Sequence, residues 1–256
     1  MDLGLTGKRA LVLGASRGLG KAIAMSLAAE GASVIAAARS LDKITAWAAG
    51  NPLVHPVQLD LADIASVDAL ADRLLAQGGV DIVVNNSGGP PPGTAMGAER
   101  AAWILHFEAM AANLFHLTAR LLPPMQSRQW GRVISITSSG VEQPIPNLAL
   151  SNGVRSAVVG WSKTLANEVA ADGITVNVVL PGRIHTERVD ELDAAAAKRT
   201  QTEVAQVAEK SRATIPAGRY GKPEEFADVV TFLASERAGY VTGSRIRIDG
   251  GAIKAI

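Results

Sequence analysis

The sequence has no cysteine, almost no net charge and no long apolar run. Without a cysteine among its 256 residues, it has no disulfide, thiolate metal site or cysteine nucleophile to draw on. A chain of this length can bury about 75% of the surface it would expose unfolded, so its core needs neither a metal nor a cross-link. Lys plus Arg number 25 against 24 Asp plus Glu, a formal charge of +1, and the basic residues are scattered. That balance gives no electrostatic footprint for a phosphate backbone, and nucleic acid is not an expected partner. The opening stretch MDLGLTGKRALVLGAS interrupts a short apolar run with charge and glycine, fitting neither a signal peptide nor a membrane span. No membrane partner is expected, and the expected location is cytoplasmic.

What is present is an alternation. Short apolar or β-branched runs at 10–15, 32–38, 53–60, 81–86, 132–138, 175–181 and 244–249 are separated by longer helix-like stretches. Strands alternating with helices predict a parallel sheet. The first strands are almost continuously apolar, as expected where helices cover both faces. The predicted fold is a doubly wound (Rossmann) α/β sheet of about seven strands forming one dinucleotide-binding domain over 1–256. The pattern loosens after 182 into an alanine-rich, charged helical stretch. Residues 183–215 are read as an insertion over the carboxyl ends of the strands on the substrate side, the alternative being a solvated helical hairpin.

The first strand runs into Gly14-Ala15-Ser16-Arg17-Gly18-Leu19-Gly20, and a helix-like stretch follows. A glycine-rich turn between a strand and a helix lets the backbone approach a pyrophosphate, whose charge then rests on the helix N-terminus. An acid about 20 residues beyond such a loop would select the ribose 2′-hydroxyl of NAD. Here Arg39 and Ser40 stand in that region. Arg39 at the end of the second strand, with Arg17 in the loop, offers two guanidinium groups to a 2′-phosphate. The expected cofactor is therefore NADP(H), with solvated surface arginines as the alternative.

The spacing of these and further motifs resembles the short-chain dehydrogenase/reductase family over almost the whole chain. Gly14, Gly18 and Gly20 match its GxxxGxG loop, and Asp60, followed by Leu61, matches the acid that touches the adenine. Asn85-Asn86-Ser87-Gly88 matches its NNAG turn. Pro181-Gly182 followed by Thr186 matches the PGxxxT segment by the nicotinamide, and GRYGKPEEFADVVTFLASERAGYVTGSRIRIDGG matches its C-terminal signature. The expected cofactor-binding residues are Gly14, Ser16, Arg17, Gly18, Leu19, Gly20, Arg39, Ser40, Asp60, Leu61, Asn86, Gly88, Arg155, Pro181, Gly182 and Thr186. The family's nearest members are the 3-oxoacyl-[acyl-carrier-protein] reductase-like enzymes. These imply a small-molecule carbonyl or alcohol substrate and a homotetramer, or a homodimer, built through helices at 99–128 and 151–171.

The family's catalytic tetrad is Asn, Ser, Tyr and Lys, and here the chain departs from it. Seven residues after Trp103, the position expected to hold Asn is Met110. Ser138 is present, but the Tyr-x-x-x-Lys segment reads Ser151-Asn152-Gly153-Val154-Arg155. The chain resembles a divergent subgroup that combines an NGGPPPG-type turn, here Ser87 to Gly93, with a missing tetrad. The only tyrosines, Tyr220 and Tyr240, lie in the C-terminal signature, where packing or subunit contact is expected.

Ser138, Ser151 and Arg155 remain as catalytic candidates. A phenol titrates near pH 10, whereas a serine hydroxyl is far less acidic. Ser151 is thus a poor general acid, and Arg155 holds its charge but can attract a developing oxyanion. Asn113, one turn beyond Met110, and His185, beside Thr186, are possible stand-ins; for Asn113 a packed or surface role is the simpler reading. His55, His106 and His116 suit structural roles. The leading expectation is an NADP(H)-dependent oxidoreductase acting on CH-OH/C=O with a non-standard active site. A catalytically silent NADP(H)-binding sensor or scaffold is the alternative, and a lyase or isomerase ranks last.

Overall fold

The computed structural model describes residues 1–255. Seven strands, β1 (Arg9–Leu13), β2 (Ser33–Ala38), β3 (Val54–Gln58), β4 (Ile82–Asn85), β5 (Gly131–Ile136), β6 (Ile174–Pro181) and β7 (Arg245–Ile248), form one sheet in the order β3-β2-β1-β4-β5-β6-β7. Every pairing is parallel. The predicted doubly wound α/β architecture is therefore the observed one, and all seven strands fall within the expected runs to within a residue or two.

Side chains alternate across a strand, and β1 shows the consequence. Ala10 and Val12 join a core with α1 (Gly18–Ala29), α2 (Leu41–Ala48) and α9 (Pro223–Ala234), where Ile23, Leu27, Phe226 and Val230 are fully buried. Leu11 and Leu13 join the opposite core with α3 (Ile64–Ala76), α5 (Asn113–Ser127) and α6 (Ala149–Val169), through Val67, Leu117, Leu121 and Val169. Both faces are covered, which is why the strands read as continuous apolar runs.

The strand order reverses between β1 and β4. In open α/β sheets ligands bind outside the carboxyl ends of the strands at such a switch point. Because all strands run the same way, Gly14, Arg39, Asp60, Asn86, Ser138 and Gly182 emerge along a single edge.

The long helix expected over 99–128 is built from α4 (Arg100–Phe107), a π turn over Glu108–Ala112, and α5. Its partner, expected over 151–171, is α6. The insertion consists of α7 (Glu187–Thr200) and α8 (Val204–Ala213). Among the described residues, no helix is long and apolar enough to cross a membrane.

Candidate active site

The turn after β1 has the shape a pyrophosphate needs. Gly14 and Gly18 take positive φ values of 62° and 54°, a region in which a side chain is strained. A Cβ on Gly14 would lie 2.6 Å from Asn86 Nδ2, and one on Gly20 would collide with the Gly14 carbonyl oxygen. Asn86 holds the turn from below, its Nδ2 donating to the Leu13 carbonyl at 3.1 Å. Trp47 holds it from the side, its indole N–H donating to the Ala15 carbonyl at 3.1 Å. Arg17, the N-cap of α1, makes no capping bond with its side chain, so the first amides of α1 are open to an anion. Trp47 was not singled out from the sequence, because only the fold brings it to the loop.

The remaining cofactor candidates line the same edge. Arg39 is exposed just past β2, with Ser40 as the N-cap of α2. Among the described residues, Arg39 makes no ion pair. Asp60 follows β3, with one carboxylate oxygen accepting from the Ala62 amide at 3.0 Å. The adjacent Leu61 carbonyl accepts from Asn113 Nδ2 at 2.8 Å. Asn113 is thus a buried, satisfied residue beside Leu61 and does not replace the polar group missing at Met110.

Gly88, in the turn after β4, has open space around it. Pro181 closes β6, and the Gly182 amide donates to the Ile248 carbonyl at 2.9 Å. Thr186, the N-cap of α7, places its methyl 3.6 Å from the Cβ position of Gly18. The two loops expected at the pyrophosphate and nicotinamide ends therefore touch.

Arg17 behaves differently from Arg39. Its Nη1 lies 2.7 Å from Glu187 and 2.8 Å from Glu191, both on α7, and these carboxylates raise its pKa. The pairs tie the phosphate loop to the insertion. Neither glutamate was picked out from the sequence, although the i,i+4 spacing of Glu187 and Glu191 places both on one helical face.

The catalytic candidates lie where β5 meets α6. Ser138 follows β5 in extended backbone, and its Oγ accepts from the Gly140 amide at 3.0 Å, which leaves the hydroxyl hydrogen free to be donated. Ser151 and Arg155 are one turn apart on α6 and share a face. Arg155 Nη1 donates to the Ile136 carbonyl at 3.0 Å, and among the described residues it has no carboxylate partner. Burial, and then the neighbouring Arg188 charge, lower its pKa to about 10, so it stays cationic near neutral pH. Asn152, between the two, holds the approach to α6 by donating from Nδ2 to the Ile145 carbonyl at 3.0 Å.

Met110 sits inside the π turn and is buried with Ala111, Val154 and Val158. π turns recur at functional sites, and this one surrounds a side chain that can neither donate nor accept strongly. His185 pairs with Asp190 at 3.4 Å and is mostly exposed. Tyr220 donates its phenol to the buried Asp193 at 2.7 Å, a packing role as expected, while Tyr240 is fully exposed.

The sequence profile described as enoyl-(acyl carrier protein) reductase matches residues 14–252. The 3-oxoacyl-[acyl-carrier-protein] reductase of Haemophilus influenzae is 36% identical over 253 residues, covering 96% of this chain and 98% of that one. This chain belongs to the short-chain dehydrogenase/reductase family. The corresponding reductase of Escherichia coli is 37% identical over 251 residues, covering 96% of this chain and 97% of its own. Among solved structures, L-sorbose reductase from Gluconobacter frateurii, complexed with NADPH and L-sorbose, superposes with a TM-score of 0.94 at 33% identity over the whole of both chains. As a member of the short-chain dehydrogenase/reductase family, the chain is an oxidoreductase by descent.

Proposed function

We propose that this chain is an NADP(H)-dependent oxidoreductase that interconverts a carbonyl and an alcohol with a substituted set of catalytic residues. The observation that carries the reading is the uncapped, glycine-lined cradle of α1, which Thr186 meets from the start of α7. Gly14, Ser16, Gly18, Leu19 and Gly20 present backbone to the pyrophosphate. Arg39 with Ser40 takes the 2′-phosphate, and Arg17 joins them by exchanging Glu187 and Glu191 for it. Asp60 and Leu61 border the adenine. Asn86, Gly88, Pro181, Gly182 and Thr186 border the nicotinamide side, and Arg155 reaches its ribose. The NADPH named with the sorbose reductase supports this assignment.

When bound, the reduced nicotinamide supplies a hydride. The chain's own task is to steady and protonate the oxygen that becomes an alkoxide. Ser138 donates a hydrogen bond to that oxygen, and Arg155 opposes its charge from a partly buried position. Ser151 relays a proton from water, since Arg155 cannot release one. Losing a general acid lowers a rate by about 10²–10⁴, so turnover is slow.

The chain forms a single domain, with α7 and α8 as its substrate-side lid. It assembles as a homotetramer, or a homodimer, through the rod from α4 to α5 and through α6. Exposed Ile104, Leu105 and Phe107 on α4 support that assembly.

The loss of three tetrad positions favours one competing reading, a protein that binds NADP(H) without turning it over. Following NADPH oxidation with a panel of ketones and 3-oxoacyl thioesters separates the two. Slow turnover is expected, and Ser138→Ala should lower it at least about tenfold, the scale of a lost oxyanion donor. No turnover of any carbonyl, despite tight NADPH binding, would leave the silent reading standing.

A further inference from the structure

The active-site space holds more positive charge than its own carboxylates balance. Arg155 lies on α6 and, among the described residues, reaches no carboxylate, only the Ile136 carbonyl. Arg188 enters from α7 on the opposite side. Its Nη2 donates to the Pro90 carbonyl at 3.1 Å, which holds the guanidinium over the Gly89-Pro90 turn. Its one carboxylate neighbour, Glu191, lies 3.3 Å from Nη1 and is shared with Arg17 at 2.8 Å. The other nearby acids are engaged elsewhere: Glu187 with Arg17, Asp190 with His185, Asp193 with Arg183, and Glu142 with Arg245 and Arg247.

The Gly89-Pro90 turn is itself docked beside the start of α6, because the Gly93 amide donates to the Asn147 carbonyl at 2.8 Å. Arg188 is thereby tied, through the Gly89-Pro90 turn, to the start of the helix that carries Arg155, and its charge disfavours the Arg155 charge. The Arg155 guanidinium is partly buried, with Nη1 on the Ile136 carbonyl and most of its five donors unused, and an anion would satisfy them. The planar fork of arginine suits a carboxylate in particular.

Resting on the dehydrogenase reading above, we propose that the substrate is a short oxo- or hydroxy-carboxylate, its carboxylate held between Arg155 and Arg188 and its reacting oxygen beside Ser138. The pair of arginines is then a specificity device that refuses neutral ketones. Arg188, carried on the lid, completes the site when the anion is present.

The test uses malonate, which has no carbonyl to reduce, and its neutral counterpart dimethyl malonate. Both are titrated by calorimetry into the full-length protein at fixed ionic strength, with and without NADPH. Malonate should bind, dimethyl malonate should not, and Arg188→Gln should weaken malonate at least tenfold, with Arg188→Lys falling between. The proposal is overturned by a silent malonate titration, by equal binding of the diester, by inorganic phosphate displacing malonate at equal concentration, or by an Arg188→Gln protein that binds as tightly as the parent. NADPH binding with no malonate signal removes the carboxylate and leaves the dehydrogenase reading. Malonate binding in a protein indifferent to NADPH does the reverse.

Discussion

Alanine at Gly20 should weaken NADPH binding about a hundredfold, the worth of one hydrogen bond to a charged group at roughly 3 kcal/mol. Gly20 lies within α1 at an ordinary helical angle, where alanine would by propensity be the better residue. The added methyl has nowhere to go. It meets the Gly14 carbonyl oxygen, part of the backbone, and it would lie 2.9 Å from Asn86 Nδ2, the atom that holds the turn. The loop must therefore move off the helix N-terminus, and overpacking of this kind costs about 1–3 kcal/mol of stability. Gly160 in α6 is the control, with nothing within 4 Å of its Cβ position. Gly160→Ala should stabilise the protein by about 0.5–1 kcal/mol. Thermal unfolding and a fluorescence titration with NADPH read both effects. A Gly20→Ala protein that binds NADPH like its parent would remove the turn from the binding site.

The second large effect is a gain. Ser151→Tyr with Arg155→Lys should raise carbonyl reduction at least about 100-fold, within the range general acid catalysis supplies. That corresponds to about 3 kcal/mol of barrier. The reason lies in proton affinity. A phenol near pH 10 beside a lysine can give up a proton at working pH, whereas a serine beside an arginine still charged near neutrality cannot do so readily. The two positions are one turn apart on α6, and Arg155 already reaches the Ile136 carbonyl at the end of β5. Met110, packed on Val154 and Val158, stays apolar in this variant, and adding Met110→Asn separates its contribution. Steady-state rates with acetoacetate and with methyl acetoacetate measure the gain. An unchanged rate would show that the chain lacks more than its acid, as the silent reading requires.

How far the sequence led depends on the range of the forces involved. The strands were legible because burial on both faces leaves continuous apolar runs such as ALVLGA. Gly14, Gly18 and Gly20 were legible because positive φ and close backbone contact admit little else. The π turn was not, since Glu108 to Ala112 contains no helix breaker and its widening is a matter of how Met110 packs on α6. The partners of Arg17 were also hidden, because Glu187 and Glu191 lie some 170 residues away and only the docking of α7 brings them to the loop. Arg188 was passed over for the same reason. His185 was weighed as an acid from its place beside Thr186, but its ring is drawn outward to Asp190, a direction that neighbouring residues in the sequence do not encode.

The edge between β1 and β4 is expected to receive a dinucleotide bearing a 2′-phosphate, met first by Arg39, which makes no ion pair among the described residues. Parallel fluorescence titrations with NADPH and NADH test it most directly. The account predicts that NADPH binds at least about tenfold tighter, the scale of a single charge-assisted contact, and that Arg39→Ala erases the difference. Equal affinity for the two nucleotides, or indifference to both at millimolar concentration, would contradict it.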